Sequence, residues 1–145
     1  MATRSAIGIK HGDVVKAVYC HWDGYLEHNG LILAKFYNDS VKINKLISMG
    51  HLSTLGANIG EKQDFNQPDP AETLEDTVCK FYKRDRGEED VDFKTFESED
   101  DYLTNFDMGV DYYYLFKDNK WYYAYDQGFK ELSPNLVMKL LKQAA

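Results

Sequence analysis

Proline, cysteine and arginine are all scarce in this chain of 145 residues, which has three prolines, two cysteines and three arginines. Two cysteines cannot supply a disulfide framework, and neither Cys20 nor Cys79 has the nearby cysteine partner of a zinc or redox motif. Both lie in apolar, strand-like stretches, which predicts reduced, buried thiols. The low proline content and the 43% of apolar residues predict a folded chain rather than a disordered one.

Several signals of membrane, secreted and enzymatic proteins are also missing. No run approaches the roughly eighteen apolar residues of a membrane span, and the N-terminal stretch MATRSAIGIK lacks the apolar core of a secretion signal. The chain has no glycine-rich phosphate loop, no zinc-ligand spacing and no hydrolase-like order of serine, histidine and aspartate. We therefore expect an intracellular protein without a membrane partner, a metal, a cofactor or catalytic residues.

Acidic residues are concentrated in one segment of a chain whose net charge is −7. Residues 84–111 contain eleven acids and three bases, whereas the rest of the chain has thirteen acids and fourteen bases. The lack of a basic face argues against binding along a DNA or RNA backbone. The acidic segment is typical of a solvated face. The alternative is a mimic of nucleic-acid charge, as in an anti-CRISPR-like inhibitor of a host enzyme.

Alternating apolar residues and turn signals predict strands at both ends of the chain. The first two strands, at about 4–10 and 14–22, are expected to form a hairpin at Gly12. Further strands are expected at 77–84 and 91–96. The aromatic stretch 110–126 is expected to form a second hairpin around Asp118 and Asn119.

Helical periodicity predicts helices at 27–38, at 40–49 with Ser40 as cap and Gly50 as stop, at 98–106 with Ser98 as cap, and at 133–145 with Ser133 as cap. Residues 51–62 are expected to be a turn-rich connection, and residues 62–75 a mobile loop. This order of elements predicts one α+β domain, 1–145, in which helices pack on one side of a mostly antiparallel sheet.

The stretch AVYCHWDGY, residues 17–25, combines a thiol, an imidazole, an indole, a carboxylate and two phenols. Strand alternation predicts that Cys20 and Trp22 face the core while His21 and Asp23 share the opposite face. The same alternation excludes a nucleophile–base pair of Cys20 and His21. Three interpretations of His21 and Asp23 stay open: hydrogen bonding that fixes the turn, contact with a ligand together with Tyr25, or a general base or metal site.

The three arginines are a second candidate feature. Arg84 and Arg86 flank Asp85 in FYKRDRGE, and strand alternation would put them on the same side, with Arg4 beside them if its strand is adjacent. A guanidinium offers a planar set of donors that suits phosphate. Two interpretations stay open: an anion or nucleotide phosphate site, or pairing of the arginines with neighbouring acids.

Aromatic residues dominate the stretch DYYYLFKDNKWYYAYD. Alternation puts Tyr112, Tyr114 and Phe116 on one face and separates Trp121 from Tyr122. One face is expected to be core and the other a tyrosine-rich surface for a partner or for stacking on a nucleobase. The alternative is that aromatic cross-strand pairs only stabilise the sheet. Exposed aromatic side chains also favour self-pairing, which makes a two-fold homodimer a further expectation.

Five stretches, TRSAIGI, VYCHWDGY, LSTLG, IGEK and FYKRDRGE, resemble as a set those of a family of small proteins encoded by bacteriophages and prophages. The resemblance runs from Thr3 to Glu88, and the last third of the chain matches only as an aromatic strand pair. It implies a viral origin and expression in the cytoplasm of a bacterial host, and it implies no particular activity.

Small accessory phage proteins without an enzymatic motif often resemble inhibitors of host systems. We therefore expect a non-catalytic protein that counteracts a bacterial defence system by binding and sequestering a small nucleotide signal. The expected ligand-binding residues are Arg4, His21, Asp23, Tyr25, Arg84, Arg86, Tyr112, Tyr114 and Trp121. The alternatives are a protein-binding inhibitor of a host enzyme, which would use the acidic or tyrosine-rich surface, and a small hydrolase or transferase, which would use His21 and Asp23.

Overall fold

The β1–β2 hairpin forms the centre of the sheet in the computed structural model, which describes residues 2–144. Strand β1 spans Ser5–His11 and strand β2 spans Val14–Cys20, and the two pair along their whole length. Gly12 adopts a φ of +60° in the turn, a left-handed conformation that glycine enters without a steric cost. The hairpin predicted at Gly12 is therefore confirmed.

The remaining strands are short, apart from a second hairpin. They are β3 (Leu52–Thr54), β4 (Lys80–Phe81), β5 (Lys94–Phe96), β6 (Tyr112–Lys117), β7 (Lys120–Ala124) and β8 (Lys130–Glu131). Asp118 and Asn119 have φ angles of +52° and +61° between β6 and β7, which is the geometry of a tight hairpin turn. The predicted aromatic hairpin is confirmed.

Five α-helices lie in the described part of the chain: α1 (Leu31–Phe36), α2 (Ser40–Ser48), α3 (Tyr82–Arg86), α4 (Glu99–Asn105) and α5 (Pro134–Ala144). A one-turn π-helix, Leu26–Gly30, leads into α1, and a 3₁₀ turn, Leu74–Asp76, precedes β4. Ser98 and Ser133 cap α4 and α5 as predicted, because their Oγ atoms accept backbone N–H bonds. Across residues 2–144, no helix has both the length and the apolar character that a membrane span requires.

The sheet has the strand order β4-β3-β2-β1-β6-β7-β8, and the outer edge of β2 is shared by two partners. The end of β2 pairs in parallel with β3 through Cys20 and Leu52, whereas Val15–Ala17 pair antiparallel with β5. Strand β1 pairs in parallel with β6, and the other pairings are antiparallel. A mixed α+β domain with a mostly antiparallel sheet was predicted, and the structure has this architecture.

Each face of the sheet has its own apolar cluster. The larger cluster joins side chains such as Ile7, Val18 and Tyr114 to helices α1, α2 and α5. The smaller cluster, on the opposite face, joins Ala17, Leu115 and neighbours to α4. Three helices therefore lie together on one side of the sheet, and α4 covers part of the other. Cys20 and Cys79 are buried free thiols as predicted, and burial raises the pKa of Cys20 to about 12.

The structure corrects the sequence prediction around α3. Residues 77–84 were expected to be a strand, but the extended backbone ends at Phe81 and the chain turns into a short helix. The Asp85 carboxylate explains the change, because it accepts the N–H of Phe81 at 2.7 Å and so closes the first helical turn. Gly87, with a φ of +72°, ends the helix in a left-handed conformation.

Smaller differences concern caps and edges. Helix α2 is capped by Asp39 rather than Ser40, since Asp39 Oδ1 accepts the Lys42 N–H at 2.9 Å. Strand β3 lies in the stretch that was expected to be a turn-rich connection. Strand β8 pairs with β7 at Tyr122 and Tyr123, so the aromatic hairpin has a neighbour on both sides.

Candidate functional site

An open cleft of about 270 Å³ lies where the end of β2 meets the start of β3 and helix α3. We call it the histidine cleft. Its walls combine imidazole, phenol and guanidinium groups with one carboxylate: Tyr19, His21, His51, Tyr82, Arg86, Glu88, Val91 and Met108. Residues distant in the sequence meet here because β2, β3 and β4 are neighbours in the sheet.

His51 is held at the back of the cleft by main-chain contacts on both sides. Its N–H donates to the Val91 carbonyl at 2.7 Å, and its carbonyl accepts the Tyr82 N–H at 3.3 Å. Gly50 makes this approach possible, because a Cβ on Gly50 would lie 2.4 Å from the Val91 oxygen. With a φ of +85°, Gly50 also adopts a backbone conformation that favours glycine.

The His51 ring is a neutral hydrogen-bond donor. Its Nδ1 accepts the backbone N–H of Tyr19 at 2.9 Å, which leaves the proton on Nε2. The residue is only 5% exposed, and burial lowers the pKa of His51 to about 4, with a smaller contribution from the Lys94 charge. Because Nδ1 is occupied and Nε2 carries its proton, His51 can donate to a bound ligand but is not available as a general base.

His21 lies on the strand extension that enters the cleft. Its N–H donates to the Leu52 carbonyl at 3.1 Å, so β2 continues beside β3 beyond its last regular residue. The ring Nδ1 shares a 2.7 Å hydrogen bond with the Tyr19 hydroxyl, and Trp22 packs edge-on at 4.7 Å. Burial, and then the charge of Arg4, lower the pKa of His21, so this ring is also neutral at pH 7.

One of the three arginines, Arg86, lines the cleft, and Arg4 lies near it. The Arg86 guanidinium lies 4.4 Å from the Phe65 ring centroid and 5.2 Å from that of Tyr82, and it pairs with Glu88 at 2.5 Å. Arg4 lies at the rim, where its Nη1 is 3.6 Å from the position of a Cβ on Gly109, the residue after Met108 of the cleft wall. The cleft therefore combines two neutral imidazole rings with an Arg86–Glu88 ion pair, and Arg4 lies near it.

Arg84 does not join them, which corrects the expectation that it shares a side with Arg86. Two residues apart on helix α3, the side chains point in different directions. Arg84 donates to the carbonyls of Ile59, Gly60 and Cys79 and forms an ion pair with Asp85, whose side chain is fully buried. The N–H groups of the Arg84 guanidinium therefore donate to partners within the fold, and Arg84 is a structural residue.

Asp23 and Tyr25 form a turn next to the cleft rather than part of its wall. The Tyr25 hydroxyl donates to Asp23 Oδ1 at 3.0 Å, and Asp23 has a φ of +57°. The expected shared face of His21 and Asp23 is lost because the strand ends at Cys20. For the same reason Trp22, which was expected in the core, is 46% exposed.

The aromatic residues expected to stack on a nucleobase lie elsewhere. Tyr114 and Trp121 are buried in the larger cluster, where the Tyr114 hydroxyl donates to the Gly24 carbonyl and Trp121 Nε1 donates to the Tyr37 carbonyl. Tyr112, half-buried, stacks beside Tyr114 on the same face. This face is opposite to that of Tyr19, so the three side chains stabilise the fold and do not reach the histidine cleft.

Tyr19, His51 and Tyr82 line the cleft but are not among the residues that the sequence predicted to bind a ligand. Their stretches were assigned other roles. His51 directly precedes LSTLG, in the predicted turn-rich connection, and Tyr82 lies inside FYKRDRGE, in a predicted strand. Three of the five stretches that carry the resemblance contribute a residue to the cleft or lie beside it. Arg4 belongs to TRSAIGI, His21 to VYCHWDGY, and Arg86 to FYKRDRGE.

A second pocket, of about 430 Å³, lies on the opposite face between α1, β7 and α5. Its lining is mainly apolar, and its charged side chains, Lys120 and Glu131, pair with each other at 3.5 Å. It brings no titratable cluster together, whereas the histidine cleft brings two histidines, two tyrosines and an arginine together. The cleft is therefore the candidate functional site. Comparisons of the chain with protein-family models, curated proteins and solved structures found no match.

Proposed function

We propose that this protein is a non-catalytic accessory protein of bacteriophage origin that binds and sequesters a small phosphate-bearing nucleotide used by a bacterial defence system. The observation that carries the proposal is the convergence of His21, His51 and Arg86 on one cleft, in which His51 is a neutral donor with a fixed tautomer. A nucleotide offers the matching groups: acceptor atoms on its base or sugar and an anionic phosphate.

The charge distribution supports an anionic ligand at this position. The chain as a whole has a net charge of −7, yet Arg4 and Arg86 bring positive charge to the edge of the cleft. The Arg86–Glu88 pair is exposed, and exposed ion pairs contribute at most about 1 kcal/mol. Arg86 can therefore exchange Glu88 for a phosphate, which binds a guanidinium in a bidentate geometry.

The chemistry of the two histidines supports binding over catalysis. Neither ring is charged at pH 7, and the proton-accepting Nδ1 of His51 is occupied by a backbone N–H. Asp23, the expected orienting carboxylate of a hydrolase, bonds to Tyr25 instead. The site thus offers fixed donors, which hold a ligand without a general acid–base pair.

The alternative of an acidic surface that binds a host protein has weaker support. Five of the eleven carboxylates between residues 84 and 111 form ion pairs within the described chain: Asp85, Glu88, Asp92, Glu99 and Asp107. These pairs reduce the unbalanced negative charge available to a partner.

Calorimetric titration tests the proposal with a panel of adenine and guanine nucleotides that includes monophosphates, diphosphates, cyclic dinucleotides and ADP-ribose. We expect at least one to bind in the micromolar range or better, and His51→Asn to weaken it about tenfold or more, since one buried hydrogen bond is lost. Asn keeps an oxygen for the Tyr19 N–H but lacks the N–H donor that His51 carries at Nε2. Lys139→Ala is the control for an exposed residue on α5.

The proposal fails if no nucleotide in the panel binds the wild-type protein at high micromolar concentration. It also fails if a nucleotide binds but His51→Asn and Arg86→Ala leave its affinity unchanged. Mass spectrometry of small molecules retained by the protein from expressing or infected bacterial cells then identifies the physiological ligand, and a retained nucleotide is the expected result.

A further inference from the structure

A second compartment, of about 590 Å³, adjoins the histidine cleft and shares Arg86 with it. One wall is the loop Lys62–Asn66, and the other is helix α3 from Lys83 to its end at Arg86, followed by Gly87. We call it the basic compartment, because Lys62, Lys83 and Arg86 border it.

Contacts within the fold connect the two walls of the basic compartment. The Asp85 carboxylate, fully buried, accepts the N–H of Gln63 at 2.7 Å and so ties the loop to α3. Phe65 packs against Tyr82 with ring centroids 5.6 Å apart, and it lies beneath the Arg86 guanidinium. The shape of the compartment therefore costs little to form on binding.

The charges that border the compartment are available to an anion. Lys62 has no ion-pair partner among residues 2–144. Lys83 pairs with Asp92 at 3.5 Å, but both side chains are more than 60% exposed, so solvent screens the pair. Two carboxylates also line the compartment: Asp64, whose Oδ1 accepts the Asn66 N–H, and Asp85, which pairs with Arg84.

We infer that the ligand spans both compartments and is a nucleotide with a chain of two or more phosphates, as in a nucleoside diphosphate or a nucleoside diphosphate sugar. The inference rests on the proposed function and narrows it to this class. The histidine cleft, at about 270 Å³, holds the nucleoside part and little more. The phosphate chain passes Arg86 and binds Lys62 and Lys83 in the basic compartment, where three cations balance the charge of two phosphates.

The test is a calorimetric series of adenosine, AMP, ADP and ADP-ribose, repeated with the guanine nucleosides and nucleotides. We expect affinity to rise at least about tenfold from the monophosphate to the diphosphate, since the second phosphate gains charge-assisted hydrogen bonds. The double variant Lys62→Ala/Lys83→Ala should lose this increase and keep the wild-type affinity for the monophosphate. Both lysines are exposed, so the variant should unfold at the wild-type temperature.

Failure of this inference is distinct from failure of the proposed function. Equal affinities for the monophosphate and the diphosphate, or an unchanged diphosphate affinity in the double variant, overturn the inference while nucleotide binding stands. If the protein binds a cyclic dinucleotide but no nucleoside diphosphate, the inference is also overturned while nucleotide binding stands. If no nucleoside or nucleotide binds the wild-type protein, the proposed function and the inference fall together. Lys139→Ala controls for the loss of a positive charge away from either compartment.

Discussion

The backbone N–H of Tyr19 donates to Nδ1 of His51 at 2.9 Å, which connects the middle sheet strand β2 to the residue before β3. This one bond has two effects. It satisfies a buried main-chain donor beside a sheet edge that β3 and β5 leave partly open. It also keeps His51 neutral and leaves the ring proton on Nε2, so that the same contact contributes to stability and sets the tautomer of a residue that lines the histidine cleft.

Acidification should therefore destabilise the protein through His51. In the unfolded chain His51 binds a proton near pH 6.5, whereas in the folded chain its pKa is about 4. Between these values the unfolded state binds a proton that the folded state does not, so the free energy of unfolding falls as the pH decreases. We expect a loss of about 3 kcal/mol from this residue between pH 7 and pH 4, measured by urea unfolding at a series of pH values.

The matched variant for that measurement is His51→Asn, which keeps an acceptor for the Tyr19 N–H but does not titrate. Its stability should fall less than that of the wild type between pH 6.5 and pH 4.5. Carboxylates with a lowered pKa, such as Asp85 and Glu99, lose their contribution mainly below this window and do so in both proteins. An equal dependence on pH in the two proteins would contradict the assignment of His51.

Substitution of Arg84 should reduce stability, whereas substitution of Arg86 should reduce ligand affinity. Arg84→Ala leaves the buried Asp85 carboxylate without its guanidinium and three carbonyls without their donors, which should cost about 3 kcal/mol or more. Arg86→Ala removes an exposed ion pair and should cost less than about 1 kcal/mol. Urea unfolding measures the first effect, and nucleotide titration measures loss of affinity in Arg86→Ala. The reverse order of stabilities would contradict both roles.

The parts of the fold that follow local rules could be predicted from the sequence. Gly12, Asp118 and Asn119 predict hairpin turns through their tolerance of positive φ, and Ser98 predicts a helix start through its side chain. Helix α3 could not be predicted, because the apolar stretch before it reads as a strand and the helix depends on Asp85. That carboxylate is stabilised by Arg84 and by the backbone of residue 63, which only the folded chain brings near.

The site was harder to predict than the fold. Alternation correctly excluded a Cys20–His21 pair and left His21 as a candidate, but it extended β2 past Cys20, where regular pairing ends. It therefore predicted that Asp23 lies beside His21 and that Trp22 lies in the core. His51 carries no sequence signal of its own, since its role arises from a main-chain bond across two strands. Two of the stretches that carry the resemblance line the cleft, and the strand order explains why they meet.

Tyr114→Phe should reduce stability without changing ligand affinity. The Tyr114 hydroxyl is buried and donates to the Gly24 carbonyl at 2.6 Å, so its removal leaves that carbonyl unsatisfied at a cost of about 1–3 kcal/mol. Affinity should stay within about twofold, because the ring lies on the sheet face opposite to the cleft. Tyr122→Phe is the control, since its hydroxyl has no hydrogen-bond partner in the described chain. A large loss of affinity in Tyr114→Phe would restore this residue to the binding site.

Gly24, in the stretch HWDGY, packs directly against the backbone of residues 3–5, which includes Arg4. Its N–H donates to the Thr3 carbonyl at 2.8 Å, and a Cβ at this position would lie 2.8 Å from Ser5 Cβ and 2.9 Å from the Arg4 carbonyl carbon. Real Cβ atoms do not approach backbone so closely, so any side chain here must push the start of β1 away.

Gly24→Ala should therefore lower the free energy of unfolding by about 1–3 kcal/mol, as overpacking does, and lower the Tm by several degrees. Because the shifted backbone is that of Arg4, the variant should also bind a nucleotide more weakly at a temperature at which it remains folded. Gly128→Ala is the matched control, since a Cβ there meets nothing within 4 Å, and its Tm and affinity should equal those of the wild type. Thermal unfolding followed by titration at 15 °C measures both effects. Wild-type stability of Gly24→Ala would mean that the strands separate more easily than their contacts indicate. A destabilised Gly24→Ala protein with unchanged affinity would remove Arg4 from the site.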